Sequence, residues 1–195
     1  MRKALYFLGI MDDADTQWLI RHGTRRRLAP GDLLIEEGKP AEWLYFVLDG
    51  TLVVFTRAVA RLAVLKAGDV VGEVSFVDSR PPSASVRAEV ASQVGAVPRT
   101  ALSEKLREDI GFASRFYRSV AVFLADRLRT RTGSLGAGRL EFLEDAEAED
   151  EIPVHLLEGL STAGLRFAEM QRREWGDPQA ERARGDEAAA GPRDL

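Results

Sequence analysis

From Leu33 to Val97 the apolar residues come in short runs, each cut off by turn formers before it reaches helical length. The runs are Leu33–Ile35, Trp43–Leu48, Thr51–Thr56, Arg61–Leu65, Val70–Val71, Val86–Val90 and Gln93–Val97. Between them stand Pro30-Gly31-Asp32, Glu37-Gly38-Lys39-Pro40, Asp49-Gly50 and Lys66-Ala67-Gly68-Asp69. Glycine supplies positive φ and proline presets a turn, so these clusters end strands rather than extend them. Many short strands at this spacing predict an antiparallel β-sandwich or jelly-roll barrel. Asp49-Gly50 between two apolar runs predicts a hairpin, because a type I′ turn needs positive φ at both central positions.

The flanks read differently. Ile10–His22 is expected to be an amphipathic helix, with Asp12, Asp13 and Asp15 at its positive end and Trp18 and Leu19 turned inward. Beyond the strands, Arg99–Asp109 and Ile110–Thr132 read as helices. In the second, Phe112, Phe116, Val120, Phe123, Leu124 and Leu128 recur at helical spacing as one apolar stripe, among Arg115, Arg118, Arg127, Arg129 and Arg131. Gly133 to Gly138 is expected to stop that helix. Glu141 to Glu151 carries seven carboxylates in eleven positions and reads as a solvated linker. Pro153 suits the first turn of another helix, with Leu156, Leu157, Leu160, Gly164 and Phe167 on one side. The expected division is a domain over 10–133, an acidic linker over 134–151, a C-terminal helix over 152–175 and a disordered tail over 176–195. The fold class is α+β: an antiparallel jelly roll flanked by N- and C-terminal helices.

Charge narrows the partners. Residues 1–140 hold 21 Lys+Arg against 16 Asp+Glu, or +5, and residues 141–195 hold 6 against 15, or −9. A mildly basic body tolerates a small anionic ligand, whereas the acidic tail repels nucleic acid. With no cysteine, disulfides and thiolate metal sites are impossible, which fits a reducing compartment. The first ten residues make a poor signal peptide, and no window reaches the roughly 18–20 apolar residues that span a bilayer. A cytoplasmic protein without membrane insertion is expected.

The chemistry lies in Gly72-Glu73-Val74-Ser75-Phe76-Val77-Asp78-Ser79-Arg80-Pro81-Pro82-Ser83-Ala84-Ser85-Val86. A glycine–glutamate pair opens one short helical turn, and a proline–serine loop leads back into a strand. A nest of amides suits a phosphate and the carboxylate suits a sugar hydroxyl. This stretch resembles the phosphate-binding cassette of the cyclic nucleotide-binding domain family, and the turn spacing from about Ile10 to Gly133 resembles that family's roll. The resemblance implies a non-enzymatic regulatory module whose ligand is cyclic AMP or another cyclic nucleotide, with no cofactor required. It implies that Glu73 accepts from the ribose 2′-hydroxyl and that Gly72 lets the backbone approach. Val74 and Ser75 then open the cassette helix, while the amides of Ser83 and Ala84, with Ser83 and Ser85 hydroxyls nearby, meet the phosphate. It also places Arg127, Thr130, Arg131 and Thr132 where the long helix closes over the base, and it implies a homodimer through residues 110–132.

One position departs from the family pattern: Pro82 stands where an arginine usually meets the cyclic phosphate. A guanidinium offers two parallel charge-assisted donors worth about 1.5–3 kcal/mol each. Its loss predicts weaker binding by roughly tenfold to several-hundredfold on that arithmetic. Arg80 is a candidate substitute, whereas strand alternation turns Arg87 outward. A ligand without an exposed phosphate and a pocket that has lost its ligand remain equally open. Two further readings compete: an interaction module whose 152–175 helix docks on a larger assembly, and a transcription regulator of the catabolite activator type. The regulators of that type follow the long helix with a basic helix-turn-helix domain, which the acidic segment here does not match.

Other signals are rejected. Gly133-x-x-Gly136-x-Gly138 follows a helix rather than a strand, so it lacks the context of a phosphate loop. His22 and His155 are the only histidines and lie far apart, which argues against a metal site or a catalytic triad. Arg25-Arg26-Arg27 falls on an expected strand, where a solvent-facing edge explains it. No catalytic residues are assigned.

Overall fold

The computed structural model describes residues 7–78, 80–136 and 154–175, apart from the side chains at 75, 126–127, 129–136 and 154–160. The expected strands form, together with one over the arginine run: β1 (Thr24–Leu28), β2 (Leu33–Ile35), β3 (Trp43–Asp49), β4 (Thr51–Phe55), β5 (Ala63–Lys66), β6 (Val70–Val71), β7 (Ser85–Ala88) and β8 (Ser92–Pro98). They make two four-stranded antiparallel sheets, ordered β1-β8-β3-β6 and β2-β7-β4-β5. The helices are α1 (Asp13–His22), α2 (Val74–Asp78), α3 (Arg99–Glu108), α4 (Ile110–Gly136) and α5 (Val154–Arg172). This is an α+β jelly roll with flanking helices.

Alternation along β3 explains the layering. Tyr45 and Val47 enter the cluster between the sheets, while Leu44, Phe46 and Leu48 enter a second cluster with the helices. The first sheet is therefore buried on both faces, with the second sheet on one side and helices on the other. Helix α4 covers it with Phe112, Phe116, Val120 and Phe123, all at most 1% exposed.

Two expectations need correction. Asp49-Gly50 is not a hairpin turn: β3 pairs with β6 and β8, whereas β4 pairs with β5 and β7. Gly50 does take positive φ (89°), but it turns the chain from one sheet into the other, and a Cβ there would lie 2.3 Å from Ser92 Oγ. Turn chemistry read the bend correctly; the partner strands are set by non-local packing. The long helix also passes Gly133 and ends at Gly136. An interior glycine costs a helix only about 1 kcal/mol relative to alanine, which weakens it without ending it.

Helix α1 starts at Asp13, after a helical turn at residues 7–10. Asp12 and Asp15 form a reciprocal capping box, each carboxylate accepting the other's amide N–H at 2.8–2.9 Å. Asp15 is 3% exposed and also accepts Arg115 Nε at 2.5 Å and Nη2 at 2.8 Å. That bidentate pair ties α1 to α4, and the bond to Asp15 holds the Arg115 pKa above its ordinary value. Helix α5 packs back on the roll through Ala163, Phe167 and Met170, and Trp175 follows it into the same cluster.

Candidate functional site

The cassette begins where β6 leaves the first sheet. Gly72 has φ 92°, and a Cβ there would stand 2.7 Å from the Trp43 carbonyl oxygen. The close approach seen at this glycine is thus to β3. Glu73 follows at 2% exposure, and its carbonyl accepts the Phe76 amide at 3.1 Å to start α2. Burying a carboxylate costs several kcal/mol unless donors meet it, so Glu73 is a held acceptor rather than a solvated surface acid. Val74 and Val77 are 44% and 56% exposed, while Phe76 turns in and meets the Phe116 ring edge-on at 5.9 Å. Ser75 lies in α2, its side chain outside the described residues.

The return loop is braced by the β2–β3 turn. Gly38 N–H donates to the Pro82 carbonyl at 2.9 Å, and Glu37 N–H donates to Ser85 Oγ at 2.9 Å. Ser85 is buried at the head of β7, and its hydroxyl holds the loop in place. Ser83 is exposed and Ala84 half-buried. Among the described residues, neither of their amides has a hydrogen-bond acceptor, nor has the Ser83 hydroxyl a partner. Pro82 is half-buried and offers the loop only its carbonyl.

Three arginines bear on the missing guanidinium. Arg87 points outward, as alternation predicts, and covers the Phe55 ring at 4.8 Å. Arg99 covers Phe76 at 5.0 Å. Arg80 is exposed, its amide donating to Asp78 Oδ1 at 3.0 Å. With Pro81, Trp43, Arg99 and Arg107 it lines an open groove of about 650 Å³ that Glu73 and Ser83 do not line. The side chains of Arg127, Thr130, Arg131 and Thr132 lie outside the described residues, although their backbone belongs to α4.

Glu37 and Gly38 are site residues the sequence reading missed. They lie 48 and 44 positions from their partners Ser85 and Pro82, so no local pattern links them. Among the described residues, no three His, Cys, Asp or Glu side chains are placed to hold a metal ion, and no helix is long and apolar enough to cross a membrane.

Comparison with known proteins agrees with this geometry. Residues 25–109 match the family model described as "Cyclic nucleotide-binding domain". The matched stretch is therefore similar to that family's domain, and it holds the whole cassette. No curated protein matches the chain in sequence. Among solved structures, a cyclic nucleotide-binding domain from Methylobacillus flagellatus KT superposes with a TM-score of 0.62 at 20% identity, covering 73% of this chain and 85% of that one. The N-terminal domain of a transcriptional regulator from Streptomyces coelicolor A3(2) gives 0.50 at 26% identity, covering 64% and 89%. The Thermus thermophilus catabolite activator protein gives 0.53 at 24% identity, covering 65% of this chain and 60% of that one. These likenesses establish the fold as the antiparallel jelly roll with flanking helices that those structures share.

Proposed function

We propose that the protein is a non-enzymatic regulatory module whose cassette binds cyclic AMP or another cyclic nucleotide through main-chain amides and one buried acid. The observation that carries this reading is the pair of unpartnered amides at Ser83 and Ala84, in the loop that Glu73 opens. Two solvent-facing amides without protein acceptors beside a buried carboxylate leave donors open to an anion next to an acceptor suited to a hydroxyl. An anionic sugar ester fits this set, its phosphate on the amides and its ribose hydroxyl on an oxygen of Glu73. Pro82 removes the usual guanidinium, so recognition rests on neutral donors and affinity is lower. Arg80, two residues upstream, is the nearest cationic side chain in the loop. Val74 and Ser75 form the cassette helix, and Ser85 acts as a brace rather than a ligand contact. Base recognition is assigned to Arg127, Thr130, Arg131 and Thr132, and α4 is assigned the homodimer contact.

The docking alternative has less support, because Ala163, Phe167, Met170 and Trp175 are already buried on the protein's own roll. The transcription-regulator reading meets an acidic segment where phosphate contacts need lysine and arginine. Cytoplasmic residence follows from the proposed role. Calorimetric titration with cyclic AMP, cyclic GMP and a cyclic dinucleotide tests the proposal. Saturable heat with one of them is expected. No heat and no thermal shift at millimolar ligand rejects nucleotide sensing.

A further inference from the structure

Helix α5 is fastened to the roll by three polar side chains as well as by its apolar face. Arg166 is 13% exposed; its Nη1 donates to the carbonyls of Leu8 at 2.8 Å and Met11 at 2.6 Å, and its Nε to Asp13 Oδ1 at 2.7 Å. Gln171 Nε2 donates to the Leu48 carbonyl at 2.6 Å. Arg25 caps the far end, its Nη2 shared among the carbonyls of Met170, Gln171 and Arg173. A cation there suits the negative end of the helix. The cap is imperfect: one nitrogen serves three acceptors while Arg25 Nε is buried without a partner. A buried donor left unmade offsets much of what the shared bonds contribute.

What Arg166 grips bears on the cassette. The turn at residues 7–11 carries Phe7, whose ring meets Phe46 and Phe116 at 5.6 Å each. Ser119 Oγ of α4 donates to the Phe7 carbonyl at 3.1 Å. Phe116 in turn touches Phe76 of α2. Contacts therefore run without a break from α5 through this turn to α4 and on to the cassette helix.

We infer that α5 is a releasable strap which sets the position of α4 through the 7–11 turn. Seated, it fixes Phe7 against Phe116; released, it frees the turn and loosens α4. The strap stands on the geometry alone. Its consequence for ligand binding rests on the function proposed above, since a ligand that favours one position of α4 shifts α5 by the same linkage.

Hydrogen exchange on the full, ligand-free chain tests the strap. In the wild type, α5 amides are expected to exchange faster than those of β3 and β8, by an opening that leaves the sheets closed. Arg166→Gln is expected to speed α5 exchange by about tenfold or more, as loss of charge-assisted bonds implies, and to raise exchange in residues 110–124 while the sheets keep theirs. Gln171→Ala, a milder lesion, gives the same order in smaller measure should Arg166→Gln unfold. Exchange of α5 in step with β3 and β8 in the wild type overturns the strap, as does a freed α5 with α4 unmoved. Failure of cyclic AMP to bind tells against the proposed function and leaves this readout intact.

Discussion

On the proposed function, Pro82 matters more than any other single residue, because it would leave a phosphate to backbone donors. Amides at Ser83 and Ala84 carry no formal charge, so in that proposal the acid at Glu73 would supply a larger share of recognition than an arginine-bearing cassette asks of it. Glu73→Gln is expected to raise the dissociation constant for cyclic AMP about tenfold or more, as loss of a charged acceptor implies, in a calorimetric titration. The order of glycine, glutamate, proline and serine along the chain makes this site legible in the sequence. The bracing by Glu37 and Gly38 is not, since it joins residues distant in sequence. A second residue-scale prediction concerns Asp109, whose carboxylate accepts Lys105 Nζ at 2.8 Å and caps α4 through the Phe112 amide at 2.9 Å. Lys105 first, then that amide, holds its pKa below the usual carboxylate value of 3.8. A depressed carboxylate stabilises the fold above its unfolded pKa and loses that effect as pH falls through the folded value. Asp109→Ala should therefore melt earlier than wild type at neutral pH, and the gap should close in thermal melts taken at successively lower pH below about 4.

Among the elements, periodicity served the helices and strands well but said nothing about which strands pair. Asp49-Gly50 shows why: its positive φ was readable, yet the same bend serves a hairpin or a corner between sheets. Glycine within β8 was a signal left unused. A Cβ at Gly95 would stand 2.2 Å from the Trp175 ring, and one at Gly23 would stand 2.6 Å from it. The two glycines form a slot for the indole, whose Nε1 donates to the Met170 carbonyl at 2.8 Å. Glycine inside a strand often marks such close approach. Trp175→Ala should cost about 3–5 kcal/mol in chemical denaturation, as large-to-small core changes do. A cost below about 1 kcal/mol would show that the indole contributes little. At the α1–α4 seam, Asp15→Asn should cost about 1–3 kcal/mol, because it leaves the Arg115 fork without its buried carboxylate.

For the whole molecule, the 152–175 helix reads from sequence as a docking element, and its stripe fits folding back on the roll equally well. The structure places Phe167, with Ala163, Met170 and Trp175, on the outer face of the first sheet, in one cluster with α1 and α4, while the side chains at 154–160 lie outside the described residues. Long-range packing of this kind leaves no local trace, which is why the stripe alone read equally well both ways. Removing residues 141–195 should lower the melting temperature and raise binding of an apolar dye, since it strips Ala163, Phe167, Met170 and Trp175 from the cluster they share with α1 and β3. An unchanged melt would mean that the roll stands without the helix. The account as a whole rests on the cassette being a working cradle that lacks only its guanidinium. Calorimetric titration of cyclic AMP into wild type and Pro82→Arg, side by side, tests that most directly. Saturable heat in the wild type, with the variant tighter by roughly tenfold to several-hundredfold, is the predicted result. Silence from both proteins at millimolar ligand would contradict it.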